Sequence, residues 1–388
     1  MKGTFPLEKF QERNTPFYYY DLDLLRKTLD AIHVSTDKHE GWQVHYAIKA
    51  CANLEVLKVI KDAGIGADCV SGGEIQACLD AGFDASKIVF AGVGKADWEI
   101  ELALKAGIQY FNVESMEELE VINALALQNH TVARIAFRIN PNVEAHTHAH
   151  ITTGLAENKF GIAFEELTTH LDATRKMKGI QLLGLHFHIG SQITQMDDFE
   201  QLCYRINDIQ DTLDEKGYAT LSHINVGGGL GIDYENPNEN PIPNFKDYFE
   251  VYEKFLKLRH GQQLHFELGR AIVGQCGNLI ARCLYTKRTA HKQFVIVDAG
   301  MTDLIRPALY GALHKIENLS SSLPTENYDV VGPICESSDT FAENYELNQT
   351  KRGDILAIRS AGAYGEIMAS NYNCRALPHS YTSEGIWK

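Results

Sequence analysis

A lysine closes one short, mostly apolar run of this sequence, Val44-His45-Tyr46-Ala47-Ile48-Lys49-Ala50. The run has strand length, and Cys51-Ala52-Asn53 behind it reads as a turn before a helix. An amine at the tip of a buried strand can anchor an anion or, when desolvated, form a Schiff base with an aldehyde. Taken alone, a surface lysine at a strand end is the commoner reading. A second stretch, Asn225-Val226-Gly227-Gly228-Gly229-Leu230-Gly231, carries three consecutive glycines that strand propensity does not favour. Without side chains in the way, their backbone N–H groups can converge on an anion. A third, Glu267-Leu268-Gly269-Arg270, sets a carboxylate beside a guanidinium, to pair with a protonated heterocyclic nitrogen or simply to form a salt bridge with Arg138 or Arg270. His186-Phe187-His188 puts two histidines on one face of an extended run, and His146-Thr147-His148-Ala149-His150 puts three there. That spacing suits a metal, but a histidine is also a flat partner for an aromatic ring, and no thiolate spacing supports zinc.

These stretches recur in a rhythm of short β-prone runs and longer helical segments. The runs are 44–49, 65–70, 87–92, 110–115, 133–140, 184–189, 223–229 and 264–269. Leu54, Leu57 and Ile60 keep helical spacing between two of them, as do Leu119, Ile122 and Leu125 between two others. Eight strands separated by helices predict an α/β fold, a (β/α)8 TIM-type barrel, over 25–274. An open doubly wound sheet is the alternative, but no GxGxxG turn follows an early strand. Alternation sets Ile135, Phe137 and Ile139 against Arg138 and Asn140, Leu185, Phe187 and Ile189 against His186 and His188, and Leu264, Phe266 and Leu268 against His265 and Glu267. The apolar sets are expected to meet the helices and the polar sets to face inward, late in their strands, where barrel chemistry sits. The glycine run then falls where barrels commonly bind phosphate, after strands seven and eight.

Beyond residue 275 the rhythm changes. Phe294-Asp298, Asp329-Gly332 and Asp354-Ile358 read as strands without long helices between them. Residues 275–388, joined by 1–24 with its Phe17-Tyr18-Tyr19-Tyr20 run, predict a mostly β domain. Asn236–Pro243 reads as a surface loop.

The chain has 388 residues, 44% hydrophobic, enough for two domains. A formal net charge of -15 repels phosphate backbones and anionic lipid, which argues against nucleic-acid and membrane-surface roles. No apolar run reaches membrane-spanning length, and Met1-Pro6 lacks the apolar core of a signal peptide. Eight scattered cysteines with no CxxC pair read as reduced thiols in a cytoplasm.

Together a lysine, phosphate-type glycines, an inward carboxylate and a stacking histidine describe a pyridoxal phosphate site. Tyr46-Ala47-Ile48-Lys49-Ala50, His186-Phe187-His188-Ile189-Gly190-Ser191-Gln192, the glycine run and Glu267-Leu268-Gly269-Arg270 resemble the motifs of fold-type III pyridoxal phosphate enzymes, and more narrowly of the diaminopimelate decarboxylase family. The resemblance extends through Lys159-Phe160-Gly161, Asp298-Ala299-Gly300-Met301, Arg306-Pro307-Ala308-Leu309-Tyr310-Gly311, Gly332-Pro333-Ile334-Cys335-Glu336 and Ala361-Gly362-Ala363-Tyr364-Gly365. It implies that Lys49 carries the cofactor, His188 stacks on its ring and Glu267 bonds the pyridine nitrogen. Gly228, Gly229 and Ser191 would lie around the phosphate, with Gly269 and Arg270 bordering it. Arg270, Arg306 and Tyr310 would hold a substrate carboxylate, and Tyr364 would reach both cofactor and substrate. Cys335, as proton donor, and Glu336, as substrate ligand, would come from the other subunit of a homodimer, to which the β domain would lend contacts. The chain departs from the pattern at Leu268, where proline is common, and at Glu366, which sets a charge near the site entrance where an aromatic is usual.

The implied reaction is decarboxylation of meso-2,6-diaminopimelate to L-lysine and carbon dioxide, the last step of lysine biosynthesis. A carboxylate on the pyridine nitrogen favours this over racemisation, and an arginine at 306 suits a distal carboxylate and repels a terminal ammonium. The alternatives are a decarboxylase of ornithine or lysine on the same fold, a catalytically inactive cofactor-binding regulator, and a metal-dependent barrel hydrolase.

Overall fold

The computed structural model describes residues 5–142 and 159–386. Two compact units divide the chain: Leu29–Gly231 with Asn244–Gly269, and Met1–Thr28 with Ile232–Pro243 and Arg270–Lys388. In chain order it opens with α1 (Leu7–Glu12), β1 (Phe17–Tyr20) and α2 (Leu22–Thr36). Eight parallel strands then close a barrel in sequence order: β2 (Trp42–Ala47), β3 (Gly66–Cys69), β4 (Ile88–Phe90), β5 (Tyr110–Val113), β6 (Ala133–Arg138), β7 (Ile180–His186), β8 (His223–Asn225) and β9 (Gln263–Leu268). Seven helices alternate with them: α3 (Leu54–Asp62), α4 (Gly72–Ala81), α5 (Asp97–Ala106), α6 (Met116–Gln128), α7 (Leu167–Thr174), α8 (Met196–Glu215) and α9 (Phe245–Phe255). Each of the eight expected runs carries a strand.

Local signals start the helices. Asn53 accepts from the Glu55 and Val56 amides at the head of α3, and Ser71 and Ser115 accept from the Glu74 and Glu118 amides at the heads of α4 and α6. Such caps stabilise by about 1 kcal/mol each. Apolar side chains of the strands face these helices as alternation requires. Phe266 of β9 meets Trp42 and, on α9, Phe249 and Tyr252, with ring centroids 4.9–5.2 Å apart. The opposite faces fill the interior. Val89, Tyr110 and Ala136 form a buried cluster with Leu183 against it. The rest of the interior is polar, with His45, Asp68, Asn112, His186, Asn225, His265 and Glu267 all buried.

Lys49 does not lie in the strand. β2 stops at Ala47, and Ile48–Ala50 form one 3-10 turn. The Cys51 amide donates to Ile48 O at 3.0 Å and Tyr46 Oη donates to Cys51 O at 2.8 Å, which curls the chain at the barrel rim.

The second unit contains the short α10 (Arg270–Val273) and α11 (Arg306–Tyr310) and an eight-stranded sheet. Its strands are β1, β10 (Gly277–Arg288), β11 (Gln293–Val297), β12 (Ile316–Asn318), β13 (Thr325–Val331), β14 (Thr340–Asn348), β15 (Ile355–Ile358) and β16 (His379–Thr382). The path runs β12-β15-β10-β11-β13-β14, and β1 pairs with both β10 and β16. The aromatic N-terminal run thus joins the C-terminal sheet, with Tyr18 opposite Leu279. Phe10, Phe17, Tyr19, Ile280, Ile355, Ala357 and Ile386 form its core. The 236–243 stretch is a loop as expected, yet Asn238 reaches inward to donate to Glu317 at 2.8 Å. Among the described residues no helix is long and apolar enough to cross a membrane.

Candidate active site

Glu267 ends the last barrel strand inside a ring of donors. Asn225 Nδ2 and Asn112 Nδ2 donate to Oε1 at 2.7 and 3.1 Å, and His186 Nε2 lies 2.9 Å from Oε2. Asn225 Nδ2 also reaches Tyr110 Oη at 3.0 Å, which fixes the amide. Burial alone would raise the carboxyl's proton affinity; the charge and hydrogen bond of His186, with Lys49 and His45, outweigh it and hold Glu267 well below the usual carboxylate range. The sequence allowed a salt bridge from Glu267 to Arg138. Arg138 instead pairs with Glu114 at 3.1 Å, whose other oxygen takes the Gly161 amide at 3.0 Å.

Lys49 Nζ lies 3.8 Å from Asp68 Oδ2 at the end of β3. Asp68 is pushed up by burial and by the charge of Glu267, against the pull of Lys49. His188 follows β7. Its packed surroundings, then the charges of Arg138 and Lys49, hold it well below the ordinary imidazole value. The ring is therefore neutral, and Nδ1 accepts from the Gly228 amide at 3.3 Å. A neutral flat ring suits stacking better than a cation would.

The glycine run is forced by close approach. A Cβ on Gly228 would stand 1.8 Å from Glu267 O, and Gly229, at φ +109°, would press Gly190 O at 2.7 Å. The Gly227 amide donates to Asn225 Oδ1 at 2.8 Å. Bare backbone thus lines this rim beside Gly190 and the end of β9. Asp68 Oδ1, Asn112 Oδ1 and His186 Nδ1 are buried without a partner among the described residues. Orphaned polar atoms beside an amine and a carboxylate fit a polar heteroaromatic aldehyde such as pyridoxal phosphate.

In the β unit, Arg270 and Arg306 converge on one phenol. Arg270 Nη1 donates to Tyr234 Oη at 2.5 Å and Arg306 Nη1 donates to it at 2.8 Å. The Tyr364 ring lies 4.9 Å from the Arg270 guanidinium carbon, with its backbone in the left-handed region at φ 57°. Tyr310 ends α11, whose first residue is Arg306. Cys335 and Glu336 are exposed and belong to another neighbourhood: the Cys335 amide donates to Asn373 Oδ1 at 3.3 Å and Tyr372 Oη donates to Glu336 at 2.5 Å. Glu366 accepts from Tyr20 Oη at 2.7 Å, so its charge is tied to the β1 strand.

Sequence reasoning missed Asp68, Asn112, Tyr234 and His314. Asp68 and Asn112 occupy inward positions of their strands, a signal alternation could have supplied. Tyr234 and His314 carry no such period. His186 is committed to Glu267 and His188 to Gly228; among the described residues no group of three or more metal-ligating side chains is arranged to hold an ion. His146, His148 and His150 lie outside the described residues.

A barrel that carries an amine beside a carboxylate kept negative, under a neutral imidazole and a bare-backbone rim, defines the pyridoxal-dependent class. The family model described as "Pyridoxal-dependent decarboxylase, pyridoxal binding domain" matches residues 25–274. A curated diaminopimelate decarboxylase of Bacteroides thetaiotaomicron is 61% identical over 386 residues, covering 100% of both chains. The crystal structure of diaminopimelate decarboxylase from Helicobacter pylori complexed with L-lysine superposes with TM-score 0.91 at 40% identity, over 97% of this chain and 93% of that one. The M. jannaschii enzyme in co-complex with L-lysine gives TM-score 0.90 at 35% identity, over 98% and 90%. The chain belongs to the diaminopimelate decarboxylase family.

Proposed function

We propose that this protein decarboxylates meso-2,6-diaminopimelate to L-lysine and carbon dioxide. The observation that carries the substrate is the pair of buried guanidiniums sharing Tyr234 Oη. Two cations side by side receive a carboxylate in bidentate fashion and repel a terminal ammonium. Diaminopimelate offers a second amino-acid head group; ornithine and lysine do not.

Pyridoxal phosphate, when bound, supplies the sink for the electron pair left at Cα as carbon dioxide departs. Lys49 would hold it. Glu267, kept anionic by His186, Asn112 and Asn225, would hold a proton on the ring nitrogen and so keep the sink strong. His188 would lie on the ring, and Gly228, Gly229, Ser191, Gly269 and Arg270 would border the phosphate. Arg270, Arg306, Tyr310 and Tyr364 orient the substrate. The protein acts as a homodimer in which Cys335 and Glu336 serve the partner's site, Cys335 returning a proton to Cα and Glu336 taking the distal amine. Their exposure supports that reading. Eight free cysteines, six of them buried, support a reducing, cytoplasmic setting.

The test offers the purified holoenzyme meso-diaminopimelate, ornithine and lysine in turn and follows released carbon dioxide. Release from diaminopimelate with L-lysine as product is expected. Turnover of ornithine or lysine with none of diaminopimelate rejects the substrate; no turnover of any, with the cofactor bound, favours the inactive regulator.

A further inference from the structure

Arg306 is buried, and both protons of its Nη1 are committed. One goes to Tyr234 Oη at 2.8 Å, the other to His314 Nε2 at 3.0 Å. No other described residue accepts from this side chain. The Nε–Nη2 edge is therefore left for a ligand, and that edge is the side-on fork that grips a carboxylate with two parallel hydrogen bonds.

His314 can act as an acceptor only in one form. Its Nδ1 lies 2.8 Å from Arg359 O, and a carbonyl oxygen accepts, so Nδ1 carries a proton. An imidazolium would then turn a second N–H toward the Arg306 N–H at 3.0 Å, donor against donor. The ring is thus neutral, with the lone pair on Nε2. Burial, followed by the charge of Arg306, pushes its pKa down to about 3, in agreement. The support behind it is rigid. Arg359 Nη1 pairs with Glu317 Oε2 at 2.6 Å, Nη1 and Nε also donate to Asn238 and Asn278, and all of this fixes the carbonyl that His314 faces. The Tyr234 and His314 rings meet edge to face at 5.0 Å, so the two acceptors brace each other.

We propose that His314 is a specificity-determining positioning residue: with Tyr234 it locks the Arg306 guanidinium in the carboxylate-receiving orientation while leaving its charge uncompensated. A carboxylate in its place would bind Arg306 as firmly but cancel the field that the substrate meets. An apolar residue would leave the charge but lose the orientation. The neutral acceptor does neither. This rests on Arg306 binding the substrate carboxylate.

The test measures kcat and KM for meso-diaminopimelate on holoenzyme variants, with the bound-cofactor absorption band as the check on folding and loading. His314→Leu is expected to raise KM about tenfold or more, with kcat within about threefold. His314→Gln, which keeps a neutral donor and acceptor, is expected to restore most of that loss, and His314→Glu to fall with the leucine variant. Tyr234→Phe removes one Oη and is expected to raise KM about tenfold. An unchanged KM in His314→Leu, or a glutamate variant as good as the glutamine one, overturns the proposal. If the leucine variant does not fold, an unchanged KM in Tyr234→Phe overturns it, and a raised one with glutamine near wild type upholds it. Arg306→Ala separates the two layers. If it leaves KM unchanged, the substrate reading falls; if it raises KM while the His314 variants do not, only the positioning role falls.

Discussion

Glu267 in the barrel and Arg306 in the β unit carry opposite charges but are held alike. The carboxylate is ringed by donors, two carboxamides and an imidazole; the guanidinium is ringed by acceptors, a phenol and an imidazole. Among the described residues no Arg or Lys touches Glu267, which has the His186 imidazole instead, and no Asp or Glu touches Arg306. Elsewhere the same interior uses closed ion pairs: Lys95 with Glu118 at 2.6 Å, Arg138 with Glu114 at 3.1 Å and Arg359 with Glu317 at 2.6 Å. Lys95 also donates to Gly92 O at 2.7 Å and Asn112 O at 2.8 Å, so that pair stitches the ends of β4 and β5. A buried charge surrounded by dipoles keeps a field that can act on a ligand. A buried charge locked to a counter-ion holds backbone and has little left to offer.

The contrast makes opposite demands on mutants. Lys49→Ala is expected to show the largest effect, a loss on the order of 10³-fold or more in kcat. It should also lose the borohydride-reducible cofactor band; retained turnover would break the assignment of the barrel rim as the reacting region. Lys95→Met leaves Glu118 buried without its partner and is expected to destabilise by roughly 3–5 kcal/mol in urea unfolding, with KM unchanged in the folded fraction. Normal stability with collapsed kinetics would erase the distinction drawn between the two kinds of charge. Glu267→Gln keeps the shape and removes the charge. A fall of roughly 10²–10³-fold in kcat is expected, with a smaller stability change than Lys95→Met.

How much of this was readable beforehand follows from range. The barrel strands show because each has a period of two and is bounded by capped helices, all local features. Glu267 shows for the same reason. Asp68 was passed over because Gly66-Ala67-Asp68-Cys69 is too short for its alternation to stand out, although its inward position follows from pairing Ala47 with Asp68. Tyr234 and His314 lie in loops, and what they do depends on Arg306 and Arg359, 72 and 45 residues away. No short window joins Tyr234 to Arg306 or His314 to Arg359, and the eight residues from Arg306 to His314 carry no period that would pair them. β14 was missed for a different reason: Glu343-Asn344-Tyr345 form an exposed or half-exposed face whose polarity hides strand character, as Thr286-Lys287-Arg288 hide the end of β10. The Lys49 turn was read as strand because hydrophobicity continues through Ile48, while the bond from Tyr46 Oη that bends the chain is invisible in a pattern.

The imidazoles set an acid limit common to both regions. Burial holds His45 down to about 4 and His314 to about 3, and pushes His188 and His265 below their ordinary value. In the unfolded chain each takes a proton near pH 6.5. Below that pH the unfolded state binds more protons than the folded one, so stability falls as pH falls, until the folded-state values are reached. The loss is on the order of a few kcal/mol per buried ring. Calorimetry is expected to show Tm dropping steadily from pH 6.5 to 4. A flat Tm across that window would mean that these rings are charged in the folded protein, and the neutral-acceptor account of Arg306 would fall with it.

The smallest effect belongs to Glu366, the one charge that the sequence placed near a site entrance. Tyr20 Oη donates to it at 2.7 Å within the β unit, and the carboxylate is only half-buried. It resembles neither class above: its partner is a phenol, not a counter-ion, and water can replace that partner. Tyr20→Phe is therefore expected to destabilise by only about 1 kcal/mol and to leave kcat/KM for diaminopimelate unchanged. If kcat/KM falls tenfold instead, Glu366 acts on the substrate through Tyr20. Lack of an Asp, Glu, Arg or Lys counter-ion would then mark a functional charge even when half-exposed, and burial would drop out of the rule.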